Sequence, residues 1–263
     1  MFSNLRSLLR YRGLIQSLVA RELKARYRGS VLGFVWSFVN PLLLLSIYSF
    51  VFTTVMRNEN PATRPFAVFL FCGLLPWTWF AASLTEATSS LISGGNLIKK
   101  VLFPAEILPI VSVLANMVHF LLGLVILAVF MIAFRHYPDL AALPWFPVVL
   151  AVQLIFTLGL AFALSALTVH FRDVRDLLTN VLTLWFFVTP IIYPYFTESV
   201  SRFLIFFRLN PFYHLAVSYQ EILFFGQFGH ARSLLLLAVL SAAVFVAGYW
   251  LFDRLRDSFA EAV

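Results

Sequence analysis

The sequence predicts an all-α integral membrane protein with six transmembrane helices, and two observations support this fold class. Of its 263 residues, 61% are apolar and only 12% are charged, whereas soluble domains carry about 25% charged residues. Six stretches contain no Asp, Glu, Lys or Arg, and each is close to the roughly 20 residues that a helix needs to cross a bilayer. A transmembrane barrel would instead alternate apolar and polar residues. The predicted spans are residues 31–56, 66–85, 109–134, 145–169, 177–193 and 233–252.

The basic residues predict the orientation of these spans. Most of the 19 Lys and Arg residues lie in the N-terminal tail, residues 86–106, residues 172–176 and the C-terminal tail. Because basic residues stay on the cytoplasmic side, we expect a multi-pass protein of the cytoplasmic (inner) membrane with both termini in the cytoplasm. We expect no cleaved signal, since no short apolar region with a cleavage site opens the chain. The sequence predicts a single transmembrane domain over residues 1–263.

Residues 4–28 predict an amphipathic helix that lies in the membrane interface. At 100° per residue, basic side chains project from one sector and leucines from the opposite one. Arg12 and Arg26 break this pattern, and Gly13 is a place where the helix can divide. A generic basic anchor beside the first span is the alternative interpretation. The basic face consists of Arg6, Arg10, Arg21, Lys24 and Arg28.

Two further segments are too short or too polar to cross the membrane. Residues 93–109 read SGGNLIKKVLFPAEILP, where glycines and prolines bracket a short cytoplasmic helix at residues 96–106. Residues 194–232 contain Pro194, Pro211 and two brief apolar pieces. Apolar pieces of about 10–14 residues are typical of re-entrant or interfacial helices. We place residues 194–232 on the external side, where irregular backbone has to face protein or water.

The polar residues exclude ATP hydrolysis by this chain and argue against an enzyme. A phosphate-binding loop ends in Gly-Lys-Ser or Gly-Lys-Thr, but none of Lys24, Lys99 and Lys100 follows a glycine. The five histidines lack metal-ligand spacing, and His119 is interpreted as hydrogen-bonded to a neighbouring helix. Glu86 is interpreted as an interfacial acid, so a site for a coupling ion inside the spans has little support.

Five segments carry a resemblance to a known family: RYRGSVLGFVWSFVNPLLLLSIYSFVF (26–52), KKVLFPAEILPI (99–110), FRDVRDL (171–177), TPIIYP (189–194) and LNPFYHLAVSYQEIL (209–223). Together they resemble the permease subunits of polysaccharide and polyol-phosphate ABC exporters, the O-antigen, capsule and teichoic acid type. Each motif alone is modest, whereas five in order, from about residue 4 to the end, are specific.

The resemblance implies a transporter assembly. It implies a homodimer of six-helix subunits with two copies of a separate ATP-binding cassette ATPase. ATP and Mg would be bound by that partner, so we expect no cofactor and no metal in this chain. The expected cargo is a lipid-linked polysaccharide; membrane lipids surround the protein, and no nucleic acid is expected.

The resemblance also implies which residues receive force from the ATPase. The helix between spans two and three would be a coupling helix, with a turn shaped by Pro104, and a charged turn after span four would lie on the same side. For that turn, a solvated loop with Arg–Asp pairs of little energetic value is the alternative. The expected coupling residues are Lys99, Lys100, Val101, Leu102, Phe103, Pro104, Ala105 and Glu106, with Arg172, Asp173, Arg175 and Asp176.

Two hypotheses concern contact with the cargo. Arg side chains bind phosphate bidentately, so Arg21, Lys24 and Arg28 are candidates for the diphosphate of a lipid-linked glycan; attraction to anionic lipid is the alternative. Sugar C–H groups stack on aromatic faces, so aromatic residues of spans one and five are candidates for lining a channel. Rings that belt the membrane interface or face lipid are the alternative. The aromatic candidates are Trp36, Tyr48, Phe52, Trp185, Phe186 and Tyr193.

Gly29 and Gly33 have the spacing of a GxxxG motif at the start of span one. This spacing lets two membrane helices approach closely, so the two glycines are candidates for the dimer interface. Small residues at this spacing are also common in membrane helices that do not dimerise.

The sequence favours an exporter permease over two other classes. An ion-driven carrier lacks carboxylates within its spans, and a membrane enzyme that modifies glycans lacks a catalytic cluster. An O-antigen-like polysaccharide is the preferred cargo. Export of teichoic acid or capsular polysaccharide by the same mechanism stays open.

Overall fold

The computed structural model describes residues 11–55, 60–99, 103–196 and 202–259. Within these ranges the regular secondary structure is helical, without a strand. In hydrocarbon every backbone N–H and C=O group has to be bonded inside the protein, and a helix achieves this within one segment. The all-α part of the predicted fold class is confirmed.

A glycine bend joins the first two helices. α1 spans Arg12–Arg26, so of the described residues of the predicted 4–28 helix it begins one residue before Gly13 and ends two residues early. α2 spans Trp36–Ser49, with a 3₁₀ turn at Gly33–Val35 before it and a π-helical segment at Phe50–Val55 after it.

The bend rules out the GxxxG hypothesis. Gly29 and Gly33 have φ angles of 81° and 50°, which belong to left-handed backbone that glycine adopts without a steric cost. A GxxxG motif requires both glycines on one face of a continuous right-handed helix. The proposed role of these glycines in helix dimerisation is therefore wrong, and they form a turn instead.

Three helices occupy the middle of the chain. α3 spans Phe66–Ser93, α4 spans Gly95–Ile98 and α5 spans Ile107–Ala133. α3 continues about two turns past the predicted end at residue 85. Its last turns carry Ser and Thr hydroxyls that donate to earlier carbonyls, such as Thr85 Oγ1 to Ala81 O at 2.9 Å. Such bonds let polar side chains remain in a helix, so polarity did not mark the end of α3.

The second half of the chain contains two long helices, one of medium length and a group of short ones. They are α6 (Phe146–His170, after a 3₁₀ turn at Leu140–Trp145), α7 (Val174–Val188), α8 (Leu204–Leu209), α9 (Pro211–Gln220, continuing as π helix over Glu221–Phe225) and α10 (Ala231–Leu255, ending in a 3₁₀ turn at Arg256–Ser258). α7 ends before the predicted residue 193 because Thr189 precedes Pro190 and has extended backbone, the conformation that a following proline imposes.

Four segments of the described residues are long and apolar enough to cross a membrane. They are Phe66–Ser93, Ile107–Ala133, Leu140–His170 and Ala231–Ser258. The helical stretch Gly33–Ser49 is shorter, and α7 has 15 residues, which at 1.5 Å per residue reach less than the roughly 30 Å of hydrocarbon. Spans one and five of the predicted six therefore stay predictions.

α3 is the central helix of the bundle. α2, α5, α6, α7 and α9 all pack against it, and 83% of its most apolar window is buried. Phe69 and Phe80 are fully buried along it. Two side chains also tie it to its neighbours: Trp79 Nε1 donates to the Val113 carbonyl at 3.1 Å, and Gln153 Nε2 donates to the Pro76 carbonyl at 2.8 Å. The bundle is assembled around α3.

Two glycines allow α6 and α10 to cross in close contact. A Cβ atom added at Gly159 would lie 2.6 Å from the Cα of Phe245. A Cβ atom added at Gly248 would overlap the carbonyl oxygen of Gly159. Small residues at helix interfaces are what permits close backbone approach in membranes, where the hydrophobic effect does not drive helices together.

The bundle has two distinct ends. One end holds α1, α4, the segment before α5 and the C-terminal turn, as shown by the packing of Ile15, Leu97 and Ala105 in the cluster that contains Phe259. At the other end Asp139 lies against Gly226, and Trp145 packs on Phe228 with ring centroids 4.8 Å apart.

The α6–α10 crossing predicts the effect of one methyl group. We expect Gly248→Ala to lower the stability of the purified chain by about 1–3 kcal/mol, because the added Cβ meets backbone that cannot move aside. Gly13→Ala, in α1 with no atom within 4 Å of the added Cβ, is the matched control and is expected to leave the midpoint unchanged or raise it. Thermal unfolding in detergent measures both; equal midpoints for the two variants would contradict the close crossing.

Candidate functional site: a charged cluster, an aromatic cavity and the segment before α5

Arg26, Glu86 and Asn116 form a closed hydrogen-bonded cluster, which we call the Arg26 cluster. Arg26 Nη2 donates to Glu86 Oε2, and Arg26 Nη1 donates to Asn116 Oδ1 at 3.0 Å. Asn116 Nδ2 donates to the same Glu86 oxygen at 2.6 Å. The side chains of Arg26 and Glu86 are 21% and 34% exposed. The cluster fastens the end of α1 to both α3 and α5, and it neutralises the carboxylate.

Sequence reasoning missed this cluster. Arg26 interrupted the regular basic face, and Glu86 was interpreted as an interfacial acid. The sequence did contain one indication, which is that Arg26 lies off the basic face. A basic residue away from the solvent face of an amphipathic helix needs an acid on the element beneath it.

α1 lies against α5. Leu18 of α1 is buried against Ile107 and Val111, with Leu14 and Ile15 beside them. The apolar face predicted for α1 therefore packs on protein, and its position in the membrane interface stays a prediction. On the other side Arg21, Lys24 and Arg28 are exposed, and Arg28 lies in the turn after the helix has ended.

A cavity of about 390 Å³ opens next to the Arg26 cluster. Residues of the α1–α2 bend, α2, α3 and α5 form its walls, which combine aromatic rings with amide, hydroxyl and imidazole groups. Among its lining residues are Arg26, Tyr27, Trp36, Ser37, Asn40, Thr78, Trp79, Asn116, His119 and Phe120. Of the six aromatic residues predicted to line a channel, Trp36 is the one among these walls.

The other predicted aromatic residues lie elsewhere. Trp185 and Phe186 pack in the core on Trp77, with ring centroids 6.3 and 5.7 Å away, and Trp185 Nε1 donates to Asn210 Oδ1 at 2.6 Å. Tyr48 faces Phe186 at 6.1 Å.

Two aromatic candidates remain. The Tyr193 hydroxyl donates to the Phe187 carbonyl at 2.9 Å. The side chain of Phe52 lies outside the described residues. Within one chain Trp36 thus lies at the cavity, while Tyr48, Trp185, Phe186 and Tyr193 pack in or against the core; their role in lining a channel stays a prediction.

The predicted coupling helix differs from the structure in its extent. Its described residues are helical at Gly95–Ile98, and Lys99 is the exposed end of that helix. Phe103–Glu106 do not form a helix, because Pro104 lacks an N–H group and disfavours helical backbone at the residue before it. Lys100, Val101 and Leu102 lie outside the described residues.

Glu106 and Ala105 face the protein interior, not a partner. The Glu106 side chain is 4% exposed, and Arg256 Nη1 donates to its Oε1 at 2.7 Å. A buried carboxylate requires such a partner, so Glu106 joins the segment before α5 to the end of α10. Its assignment as a residue that docks on an ATPase is corrected to an internal contact. Ala105 is likewise buried, at 4% exposure.

The charged turn after α6 is fully accessible. Arg172, Asp173, Arg175 and Asp176 are exposed, and within the described part of the chain none of them forms an ion pair. The alternative of a loop closed by Arg–Asp pairs is not seen there. His170 Nε2 lies 3.0 Å from the hydroxyl oxygen of Ser258, which places this turn at the same end as the C-terminal turn, α1 and α4.

Glu221 organises the opposite end of the bundle. Its side chain is 5% exposed and accepts hydrogen bonds from Tyr195 Oη at 3.1 Å, Gly229 N at 2.9 Å and His230 Nδ1 at 2.6 Å. Burial alone would raise the pKa of Glu221, but these bonds, above all that from His230, lower the pKa below its ordinary value of 4.5. No sequence motif pointed to this network.

The described residues contain no group of three or more His, Cys, Asp or Glu side chains that is placed to hold a metal ion.

A double-mutant cycle tests the Arg26 cluster. We expect Arg26→Met to destabilise the chain more than Arg26→Met/Glu86→Met does, because the single change leaves a partly desolvated carboxylate without its cation. The interaction energy is expected to be about 0.5–3 kcal/mol. Thermal unfolding of the wild type, both single variants and the double variant gives this energy; strictly additive effects would show that the pair does not interact.

Comparison with known proteins agrees with this arrangement. The model of the ABC-2 type transporter family matches residues 13–224. The chain is 42% identical over 259 residues to the "O-antigen export system permease protein RfbA" of Myxococcus xanthus, with 98% of each chain covered. It is 32% identical over 249 residues to the RfbA of the same description from Klebsiella pneumoniae, with 94% of each chain covered. The chain therefore belongs to the ABC-2 type transporter family.

Proposed function

We propose that this chain is the transmembrane subunit of an ATP-driven exporter that moves a lipid-linked, O-antigen-like polysaccharide across the cytoplasmic membrane. The observation that carries the proposal is the 42% identity to an O-antigen export permease over 98% of both chains. A subunit that carries a hydrated polysaccharide across the hydrocarbon of a bilayer needs membrane-spanning helices, and four long apolar helices meet that requirement.

Energy for export comes from a separate subunit in this proposal. The chain has no lysine after a glycine and so no loop that can cradle nucleotide phosphates. ATP and Mg are bound by two copies of an ATP-binding cassette ATPase, which act on a homodimer of this chain. Transport, and no chemical reaction, is the activity of the permease itself.

α2 and α7 complete six spans, with both termini in the cytoplasm. The gathering of α1, α4, the charged turn and the C-terminal turn at one end of the bundle supports this orientation, since these segments hold most of the basic residues. Asn180 is exposed on α7 among apolar residues. A side-chain amide in lipid is costly, so this face of α7 meets a second copy of the chain or a polar path.

The ATPase docks where the charges are exposed. Lys99 and the turn with Arg172, Asp173, Arg175 and Asp176 form the docking surface, together with the undescribed residues 100–102. Closure of the ATPase pair pushes on α4 and the segment before α5. The Glu106–Arg256 ion pair then carries this displacement to the end of α10, because a buried pair does not separate without leaving an unpaired charge.

The exposed basic residues of α1 and the following turn receive the lipid diphosphate. Arg21, Lys24 and Arg28 point away from the packed face of α1, so they are free to bind phosphate oxygens at the membrane interface.

Export in cells tests the proposed function. A strain that lacks its own permease and ATPase receives this chain together with an ATP-binding cassette ATPase from the same source cell, and surface polysaccharide is measured. We expect export with both subunits, and none with the chain alone or with an ATPase whose phosphate-binding lysine is replaced. Export by the chain alone would support an ion-driven carrier and contradict the proposal.

Charge reversal tests the docking surface. We expect Arg172→Glu/Arg175→Glu to weaken co-purification with the ATPase by about tenfold or more, because like charges across an interface cost several kcal/mol. Arg232→Glu, an equally exposed arginine at the opposite end of the bundle, is the control and is expected to leave the complex intact. Unchanged recovery of the ATPase with the first variant would remove this turn from the interface.

A further inference from the structure

The cavity beside the Arg26 cluster has the size and enclosure of a small-molecule site. Its volume of about 390 Å³ falls within the range of pockets that bind ligands in proteins. It is lined by the α1–α2 bend, α2, α3 and α5 of one chain.

The aromatic walls of the cavity are held rigidly. Trp79 stacks on Phe120 with ring centroids 5.2 Å apart, and its Nε1 is bonded to the Val113 carbonyl. Trp36 Nε1 donates to Ser30 Oγ at 3.0 Å. Trp79 is buried and stacked on Phe120, so the partly exposed Trp36, whose indole N–H is already bonded, is the ring that offers a face to a ligand.

Several polar groups on the walls retain free hydrogen-bonding capacity. Within the described residues the Asn40 amide, which is exposed, makes no hydrogen bond, and His119 Nε2 is buried without a partner. The Thr78 hydroxyl donates to the Leu75 carbonyl and keeps its acceptor positions. The cavity therefore combines unused donors and acceptors with aromatic faces.

The charge balance of the cavity selects against an anion. Arg26 is the one cation among the lining residues, and its guanidinium is engaged by Glu86 and Asn116. A phosphate placed here would have to compete with the Glu86 carboxylate for that cation. A neutral ligand rich in hydroxyl groups meets no such competition, since each hydroxyl both donates and accepts.

We propose that this cavity binds an uncharged sugar residue, with Trp36 as a stacking face and Asn40 as a hydrogen-bonding partner. The inference rests on the proposed function and adds to it a second contact: the exposed basic residues hold the diphosphate, and the cavity holds a sugar of the attached glycan. An acyl chain is disfavoured because it would leave Asn40 and His119 without partners.

Binding of soluble sugars to the purified full chain in nanodiscs tests the inference. The probes are methyl glycosides of common hexoses and N-acetylhexosamines, and oligosaccharides released from the surface polysaccharide of the source cell. Inorganic diphosphate is the comparison. We expect saturation-transfer NMR signals from at least one sugar probe, and a dissociation constant about tenfold weaker for Trp36→Leu and for Asn40→Leu, from loss of one stacking face or one hydrogen-bonding partner.

Trp250→Leu is the matched control, because Trp250 is half exposed on α10 and is not a wall of the cavity. It is expected to bind sugar as the wild type does. No signal from any sugar probe, equal binding by Trp36→Leu and wild type, or diphosphate binding that depends on Trp36 would each overturn the inference. ATPase-dependent export in cells is scored separately, so loss of the sugar site leaves the proposed function standing.

Discussion

Helix α3 is buried along most of its length, and α2, α5, α6, α7 and α9 pack against it, while α10 packs against α6. In a membrane this packing has to come from shape and hydrogen bonds, because lipid tails are as apolar as leucine. The buried phenylalanines of α3 provide packing surface for the neighbouring helices. Two hydrogen bonds fix its position: Gln153 donates to the Pro76 carbonyl, and Trp79 donates to the Val113 carbonyl. α3 also contains Glu86 and is followed after one residue by α4, so one continuous helix connects the Arg26 cluster with the start of the predicted coupling segment.

Two partly buried ion pairs connect α1 and the end of α10 to the rest of the bundle. Arg26–Glu86 holds α1, and Glu106–Arg256 holds the end of α10. Both pairs lie at the end of the bundle where the docking surface is proposed. Separation of Glu106 from Arg256 would leave a buried carboxylate without its cation, which is costly even where the pair itself adds little net stability.

The family, the helical class and the positions of the long helices were accessible from sequence. The uncharged runs coincide with α3, α5, α6 and α10, because an apolar run of about 20 residues is the length that a membrane-spanning helix requires. The recognition of an O-antigen-type exporter permease is confirmed by the family match and by both RfbA relatives. Helix ends were predicted less well: Ser and Thr back-bonding extends α3, and Thr189-Pro190 shortens α7.

The sites were harder to predict, because they depend on contacts between distant residues. Nothing local indicates that Arg26 turns inward to meet residues 60 and 90 positions away, or that Glu106 reaches Arg256. GxxxG spacing was misleading because spacing carries no information about φ, and Gly29 and Gly33 are both left-handed. Aromatic residues are frequent throughout the chain, so their type alone did not separate Trp36 in the cavity from Trp185 in the core.

The central claim is that the exposed end of α4 faces the compartment that contains the ATPase. Cys72 is buried and is the one cysteine of the chain, so Cys72→Ala/Lys99→Cys places a single thiol at that end. A membrane-impermeant maleimide is then applied to right-side-out spheroplasts and to inside-out vesicles. The account predicts labelling of position 99 in the vesicles alone; labelling in intact spheroplasts would put α4 on the outer face, beyond reach of the ATPase, and would contradict it.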